Sequence, residues 1–535
     1  MAANGGVPIG RVVCVSGTQV VAMLSHAVGN DPAAARVEKG TVLKIPLARS
    51  LVFCMVSGIS VPMPREQAAG AEETRLAELE LLGESPTGAD GDAQAFRRGI
   101  RAYPALGDCL HPVQDSDLDC LYNQAQPSAI TIGNLHHASA RPVHVSPDNL
   151  LGKHFAVLGT TGSGKSCAVT VLLRSLLETL PHAHVVLLDP HNEYHAAFGD
   201  RAVLLGPETL QLPYWLLNAE EVFEIVTAPA HGSPVGEAAA GLLQELIPLA
   251  RKAYWDSRGD GLQPTIDTPV PYRLGDLDRM LDERMGRLDK PEGLAPYRWL
   301  RARLAALARD ARYAFMFGGI SVHDNMARIL STIFRVPPGD RPITIIDLSS
   351  VPSETLNVVV SVLLRMAFDF ALWSGGRFPM LLVCEEAHRY APAASGTGFE
   401  PTKQALARVA KEGRKYSLSL GMVSQRPSEI DASILSQCNS VFALRMTSLR
   451  DQEFLRGIVS DNAYGLLDFL PALGDAEAIV AGQAVPVPLR VRFPELAPDL
   501  RPRSAAASFS AAWKDGSQDP ALVDEVVHLW RRQYR

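Results

Sequence analysis

The sequence predicts an α/β protein with a parallel sheet, preceded by a small β-barrel. Three observations carry this prediction. Short β-rich runs separated by turn residues fill the first 150 or so positions. From residue 153 onward, apolar strands alternate with helical segments, a pattern typical of a parallel sheet covered on both faces. A glycine-rich loop joins the first of these strands to its helix.

The N-terminal runs are short and punctuated by Gly17 and Gly40, and they lie at 12–15, 19–24, 41–45 and 51–56. Further along, Leu79 and Leu81 alternate with glutamates, which is the period of a half-buried strand. Short strands separated by turns favour a small barrel.

The second part of the chain has predicted strands at 155–158, 185–188, 343–346, 380–384 and 418–423. The stretch between them, from about 200 to 335, is mostly helical and is interpreted as an insertion. We therefore predict a barrel at 1–148, an α/β core at 149–200 and 336–490, a helical insertion at 201–335, and a C-terminal arm at 491–535.

Composition narrows the class of protein. The chain has 535 residues and is 47% hydrophobic and 20% charged. Its net charge of −7 argues against a surface that is positively charged throughout, but it allows a local basic channel that binds nucleic acid. Its seven cysteines are scattered without a C-x-x-C pair, so disulfides and zinc are not expected. No signal pattern is present at the N-terminus, and the apolar stretch 358–373 contains Arg365 and Asp369. We expect a cytoplasmic protein with no membrane partner.

The loop GTTGSGKS matches the phosphate-binding pattern G-x-x-x-x-G-K-[ST] at every fixed position. An apolar strand precedes it and a helical pattern follows, so its backbone N–H groups and the helix dipole can both face a phosphate. Lys165 is expected to reach the β- and γ-phosphates, and Ser166 to bind Mg²⁺. The candidate nucleotide-binding residues are Gly159, Thr160, Thr161, Gly162, Ser163, Gly164, Lys165 and Ser166.

The apolar strand at 380–384 ends in Glu385 and Glu386, which is a Walker B arrangement. Glu385 is predicted to hold Mg²⁺ through water, and Glu386 to polarise the attacking water. An acid pair at a strand tip can also be solvated surface. A strand at 185–188 lies between the loop and this pair in the sequence, which favours the additional-strand ATPases that include RecA-like motors. No guanine-reading N-K-x-D motif occurs, so ATP is the expected nucleotide.

Two further residues are candidates for hydrolysis. Gln425 follows the strand at 418–423 and is placed to sense the γ-phosphate. Arg414 lies at the end of a basic helix and is predicted to act as an arginine finger on the ATP of a neighbouring subunit. The alternative for this helix is a solvated basic face, which we favour for Lys411 and Lys415.

Two weaker patterns remain. Residues 191–195 resemble a metal site but do not match H-E-x-x-H, so we expect Asp189, His191 and Glu193 to line the ATP site instead. The arginines of 297–312 either contact nucleic-acid phosphates or form a solvated helix face, and we favour the solvated face.

Taken together, these motifs resemble the HerA family, within the HerA–FtsK group of DNA-pumping ATPases. The resemblance covers most of the chain and is strongest in the segment EGRKYSLSLGMVSQRPSEID, at 412–431. The other matching segments, in family order, are 132–135, 150–166, 189–194, 345–352, 385–390, 434–440 and 470–488.

The resemblance implies a HerA/ATP-synthase-type barrel, a RecA-like core with a helical insertion, and a C-terminal arm that braces the adjacent subunit. It also implies a homohexameric ring around double-stranded DNA, with ATP at the subunit interfaces. A separate effector, either a nuclease or a sirtuin-type NAD-consuming protein, is expected on the barrel face, in DNA end processing or antiphage defence. Alternatives are a scaffold ring that gates a partner enzyme, and a secretion or conjugation motor.

The chain departs from the family pattern at three places. Glu385 replaces the usual Walker B aspartate, Asn192 replaces a frequent glycine, and Asp475 and Ala476 stand within a segment where the family often has Gly-Glu.

Overall fold

The computed structural model describes most of the chain, namely residues 7–17, 19–25, 37–61, 75–87, 94–122, 128–256, 261–287, 291–318, 322–351, 353–394, 399–459, 464–503, 510, 513–514 and 521–532.

The strands are β1 Gly10–Ser16, β2 Gln19–Leu24, β3 Val42–Pro46, β4 Ser50–Ser60, β5 Arg75–Pro86, β6 Arg97–Arg98, β7 Cys109–Pro112, β8 Ile130–Leu135, β9 Pro142–Val145, β10 Phe155–Leu158, β11 Val185–Asp189, β12 Ala202–Leu205, β13 Ile343–Asp347, β14 Met380–Cys384, β15 Leu418–Ser424, β16 Ser440–Leu444, β17 Glu477–Gly482 and β18 Leu489–Arg492.

The helices are α1 Asp115–Tyr122, α2 Pro147–Leu151, α3 Lys165–Thr179, α4 His195–Phe198, α5 Ala219–Thr227, α6 Pro234–Asp256, α7 Leu274–Met285, α8 Ala295–Arg309, α9 Ala314–Phe317, α10 Met326–Phe334, α11 Ser353–Trp373, α12 Glu400–Glu412, α13 Ala432–Leu435, α14 Leu449–Ile458, α15 Tyr464–Leu467 and α16 Ala521–Arg532.

The chain forms two compact units. The first comprises Met1–Leu180, Val423–Ser428 and Leu435–Leu496, and the second comprises Pro181–Met422, Glu429–Ile434 and Ala497–Arg535. The phosphate-binding loop belongs to the first unit, and the acid pair belongs to the second.

The predicted N-terminal barrel is confirmed. Six antiparallel strands pair in the order β2-β1-β7-β3-β4-β5, and β5 pairs back to β2, which closes the barrel. Closure leaves none of these six strands as a free edge. The interior is filled by small and medium apolar side chains, among them Val20, Ile45, Val52 and Leu79, all fully buried. The short strand β6 extends β5 outside the ring.

In the first unit, the strand that precedes the phosphate-binding loop lies in a mixed sheet. β10 pairs parallel with β16, and β17, β18, β8 and β9 continue with antiparallel pairings. The hairpin β8–β9 is therefore hydrogen-bonded to β18, although the predicted barrel segment 1–148 includes it. That segment division stays a prediction.

In the second unit, five parallel strands pair in the order β12-β13-β11-β14-β15. β11 and β14 are buried along their whole length, as expected for strands covered on both faces. The sequence analysis missed β12, a short strand at the start of the stretch interpreted as helical. Residues 219–334 otherwise contain helices, as predicted.

The apolar helix α11 is a core element of the second unit. Thr355–Trp373 is long and apolar enough to cross a membrane by length and composition, yet 72% of its most apolar window is buried inside the protein. α11 packs against α12 and α5, which favours the core-helix interpretation. The pair Arg365 and Glu221 joins α11 to α5.

Candidate active site

The phosphate-binding loop has the local structure that its glycines predict. β10 is completely buried, and α3 begins at Lys165 immediately after the loop. Gly162 and Gly164 have φ angles of 76° and 93°, a left-handed region that favours glycine. At Gly159 a Cβ atom would lie 2.7 Å from the Ser163 Oγ. The loop is thus shaped by backbone requirements that only glycine meets easily.

Hydrogen bonds fix the loop from within and from the residue that follows β16. The backbone N–H and the Oγ1 of Thr160 both donate to the Arg445 carbonyl, each at 3.0 Å. Ser163 Oγ donates to the Thr160 carbonyl at 2.7 Å, and Lys165 Nζ donates to the same carbonyl at 3.1 Å. A preordered loop with a lysine at the helix start suits a phosphate group.

Gln425, the predicted γ-phosphate sensor, lies against this loop. Thr161 Oγ1 donates to Gln425 Oε1, and the Gly159 N–H donates to the Ser424 carbonyl at 3.2 Å. Ser424 and Gln425, which belong to the first unit as the loop does, are therefore joined to the loop by a backbone and a side-chain hydrogen bond. The structure brings Gln425 together with the phosphate-binding residues, as the sequence analysis expected.

The acid pair follows β14 in the second unit. Glu385 and Glu386 are 5% and 8% exposed, so the pair is not solvated surface. The Glu385 N–H donates to the Leu188 carbonyl at 3.3 Å, which continues the pairing of β14 with β11. Glu386 has φ 54° and ψ 44°, a left-handed conformation that costs a residue with a side chain about 1 kcal/mol or more. Such strain concentrates at functional positions.

Two histidines contact the Glu386 carboxylate. His388 Nδ1 lies 3.2 Å from Oε2, and His191 Nε2 lies 3.7 Å from Oε1. The sequence analysis placed His191 near the ATP site but overlooked His388. A histidine two positions after the Walker B acids is the signal that could have found it.

Asp189 organises the loop that carries His191. Its carboxylate is buried and accepts hydrogen bonds from the N–H groups of His191 and Tyr194 at 3.2 Å and 3.0 Å. Burial raises the pKa of the Asp189 carboxyl; these hydrogen bonds oppose the shift, and the nearby Glu193 and Asp347 carboxylates add to it. Asp189 therefore shapes this loop, and its place in the ATP site stays a prediction.

Comparison with known proteins shows similarity to HerA helicases. Residues 130–367 match the family model described as helicase HerA, central domain. The chain is 26% identical over 477 residues to the DNA double-strand break repair helicase HerA of Pyrococcus furiosus, covering 82% of this chain and 79% of that protein. A HerA helicase of Sulfolobus acidocaldarius is 23% identical over 442 residues, with 79% of each chain covered. Over about four fifths of its length this chain is therefore similar to HerA helicases.

A solved structure supports the fold assignment. VirB4 of Thermoanaerobacter pseudethanolicus superposes with a TM-score of 0.51 at 16% identity, covering 70% of this chain and 98% of that chain. The likeness confirms the predicted P-loop ATPase fold.

Two departures of this chain from the HerA pattern fall at backbone positions that favour glycine. Asn192 has φ 54° and Ala476 has φ 58°, so both occupy the left-handed region that favours glycine. Asparagine tolerates this region better than most residues, whereas alanine does not. Ala476 lies beside the phosphate-binding loop, because a Cβ on Gly164 would be 3.3 Å from its backbone nitrogen.

Arg414, the predicted arginine finger, lies on a turn at Gly413–Tyr416, directly after α12, and it is exposed. The helix before it is anchored, because Arg408 stacks 4.1 Å from the ring centre of Phe368 and Lys403 pairs with Asp431 at 2.8 Å. These two basic residues pack against the protein, whereas Lys411 and Lys415 are exposed as expected.

The arginines of α8 and the turn after it serve mainly internal contacts. Arg301 pairs with Asp278 and Asp282 at 2.6 Å, and Arg303 donates to the Val226 carbonyl at 3.2 Å. Arg312 pairs with Asp310 at 2.7 Å. These contacts favour a structural role for the arginines over binding of nucleic-acid phosphates.

Proposed function

We propose that this chain is an ATP-driven double-stranded DNA translocase or helicase that assembles as a homohexameric ring. The observation that carries the proposal is the conjunction of an ordered phosphate-binding loop with similarity to HerA helicases over four fifths of the chain. Those relatives are named as DNA double-strand break repair helicases.

ATP with Mg²⁺ is the nucleotide that the residues fit. The left-handed glycines Gly162 and Gly164 let the loop curve so that backbone N–H groups can face a phosphate, and Lys165 supplies a positive charge at the start of α3. Ser166 and Glu385 offer hydroxyl and carboxylate oxygens, the ligand type that Mg²⁺ prefers. Bound Mg²⁺ would neutralise charge on the phosphates during hydrolysis.

The remaining candidates divide the chemistry of hydrolysis. Glu386 accepts the proton of the attacking water, Gln425 reports on the γ-phosphate, and Arg414 stabilises transition-state charge on the ATP of the neighbouring subunit. Burial of Glu386 and its contacts with two histidines support a positioned base. The exposure of Arg414 suits a residue that acts on another chain.

A separate effector protein, a nuclease or a sirtuin-type enzyme, would dock on the barrel face of the ring. The barrel segment carries exposed large apolar side chains, including Tyr103 and Leu106 at 55% and 71% exposure, which supports a protein-binding surface. The residues 491–535 would brace the adjacent subunit. We place the assembly in the cytoplasm, in DNA end processing or antiphage defence.

The test is ATP hydrolysis by the purified chain with and without linear double-stranded DNA. The wild type should be stimulated by DNA, Lys165→Ala should be inactive, and Glu386→Gln should lose at least about 100-fold in kcat. Mixing Arg414→Ala with Lys165→Ala subunits tests action in trans, because each mixed interface can restore one intact site. Turnover that ignores every DNA tested would contradict the translocase and favour a scaffold ring.

A further inference from the structure

Imidazole nitrogens of unequal accessibility lie near both oxygens of the Glu386 carboxylate. His388 Nδ1, on a side chain that is 13% exposed, lies 3.2 Å from Oε2 without the geometry of a hydrogen bond. His191 Nε2, on a side chain that is 50% exposed, lies 3.7 Å from Oε1, slightly beyond hydrogen-bonding distance. The largely buried His388 side chain is held in place by its neighbours. The more exposed His191 side chain can move toward or away from Oε1 with a small movement of its loop.

The position of His191 is set by backbone contacts of its loop. The Asp189 carboxylate binds the N–H groups on both sides of Asn192, and Asn192 itself adopts the left-handed turn between them. Because the N–H groups of His191 and Tyr194 bind the same carboxylate, we expect the residues between them to move together.

The same loop is joined to the C-terminal segment. The Arg503 N–H donates to the Glu193 carbonyl at 2.9 Å. The helix α4, which begins one residue after the loop, packs against the turn Pro498–Leu500. A displacement of residues 498–503 therefore reaches His191 through two residues of main chain.

We propose that His191 is a positioning residue for Glu386 and that the C-terminal segment sets its position through the Glu193 carbonyl. This inference rests on the proposed role of Glu386 in hydrolysis. With the segment docked, the His191 ring stays beside Oε1 of the carboxylate and orients it toward water. With the segment displaced, the ring moves away from Oε1, and hydrolysis slows while nucleotide binding persists.

Replacement of His191 separates a positioning role from a structural one. His191→Ala should lower kcat for ATP about tenfold and leave KM within about twofold, because only the orientation of the base is lost. His191→Gln should recover most of the rate, since its amide nitrogen reaches the place of Nε2. His191→Asn, whose amide mimics Nδ1, should not. His195→Ala, four residues along and also exposed, is the matched control.

The link to the C-terminal segment is tested at one backbone hydrogen bond. Arg503→Pro removes the N–H that binds Glu193, whereas Arg503→Ala keeps it. Arg503→Pro should lower kcat as much as His191→Ala does, whereas Arg503→Ala should leave kcat unchanged. In the double variant with His191→Ala, Arg503→Pro should cause no further loss of kcat. Melting temperature and elution volume report folding, and Leu500→Ala is the second variant should Arg503→Pro fail to fold.

The outcomes distinguish this inference from the proposed function. If Glu386→Gln hydrolyses ATP at the wild-type rate, the catalytic assignment fails. If Glu386→Gln is inactive but His191→Ala matches His195→Ala and the wild type, the positioning role is wrong. If His191→Ala is impaired while Arg503→Pro and Leu500→Ala are both normal, the link to the C-terminal segment is wrong.

Discussion

The buried pair Arg365 and Glu221 should be the strongest single electrostatic link between α5 and α11. The Glu221 side chain is fully buried and the Arg365 side chain is 18% exposed. Arg365 donates to both carboxylate oxygens, at 3.1 Å and 2.8 Å, and to the Leu216 carbonyl at 2.7 Å. Ser361 Oγ and the Asn218 N–H add two more hydrogen bonds to the carboxylate, at 3.1 Å and 3.0 Å. Arg365→Met keeps much of the side-chain length and removes every one of the arginine contacts.

The expected loss in free energy of unfolding comes from the Glu221 carboxylate, which stays buried without its counter-charge. Removing one partner leaves an uncompensated carboxylate, which costs about 3 to 5 kcal/mol. Adding Glu221→Gln to Arg365→Met removes that charge but keeps an acceptor for Ser361. The double variant should therefore be about 2 kcal/mol more stable than the sum of the two single losses in unfolding free energy predicts. Arg279→Met, in an exposed pair with Asp276, should stay within about 0.5 kcal/mol of wild type.

Equilibrium urea unfolding followed by tryptophan fluorescence measures these differences. Trp215, which is 2% exposed, directly precedes the Leu216 carbonyl that Arg365 binds and is a local probe. A coupling free energy below about 0.5 kcal/mol between the two positions would refute the reasoning, since residues in direct contact normally couple by more. A loss in Arg279→Met as large as in Arg365→Met would refute it as well.

Three further predictions concern single positions. Ala476→Gly should raise the free energy of unfolding by about 0.5 kcal/mol, because relief of the left-handed φ outweighs the added flexibility of glycine, and a lower urea midpoint would contradict this. Gly159→Ala should weaken ATP binding by at least about tenfold in a titration with labelled nucleotide, because its Cβ would meet Ser163; unchanged affinity would mean that the loop relaxes freely. Asp431 is partly buried, which raises its pKa, but hydrogen bonds from Lys403 and Ser433 more than offset this and lower the pKa to about 2. Its contribution of about 2 kcal/mol is therefore present above the unfolded pKa near 4 and is lost as pH falls through about 2, so the stability difference between wild type and Asp431→Asn should narrow below about pH 4. A difference that does not change between pH 7 and pH 3 would contradict that assignment.

Much of the fold could be predicted from residue patterns alone. The bounds of β10 and β14 match the predicted strands, because continuous apolar runs bounded by a glycine loop or an acid pair have few alternative structures. The predicted barrel and the helical character of 219–334 are confirmed for similar reasons. β12 was missed because four apolar residues inside a mostly helical stretch carry no distinguishing period.

The parts of the candidate site that are formed by consecutive residues could be predicted from the sequence. The glycines, Lys165 and Ser166 are specified by a contiguous motif, and the acid pair by its strand. His388 escaped notice because its contact with Glu386 depends on the left-handed backbone of Glu386, which a sequence pattern does not reveal. The roles of Arg414 and Gln425 in hydrolysis stay predictions, although Gln425 does contact the phosphate-binding loop.

The sequence by itself determined the class of this protein, the position of its nucleotide loop and the acid pair, since each depends on neighbouring residues whose backbone and side-chain chemistry act locally. Only the tertiary structure decided which distant residues meet: the closure of the barrel through β2 and β5, the pairing of Arg365 with Glu221 across 144 positions, and the contact of the C-terminal segment with the loop of His191. The physical reason is that burial and hydrogen bonding between distant segments depend on the positions of those segments in space. The sequence cannot indicate which arginine meets which glutamate, because many residues of the same type occur in similar local patterns.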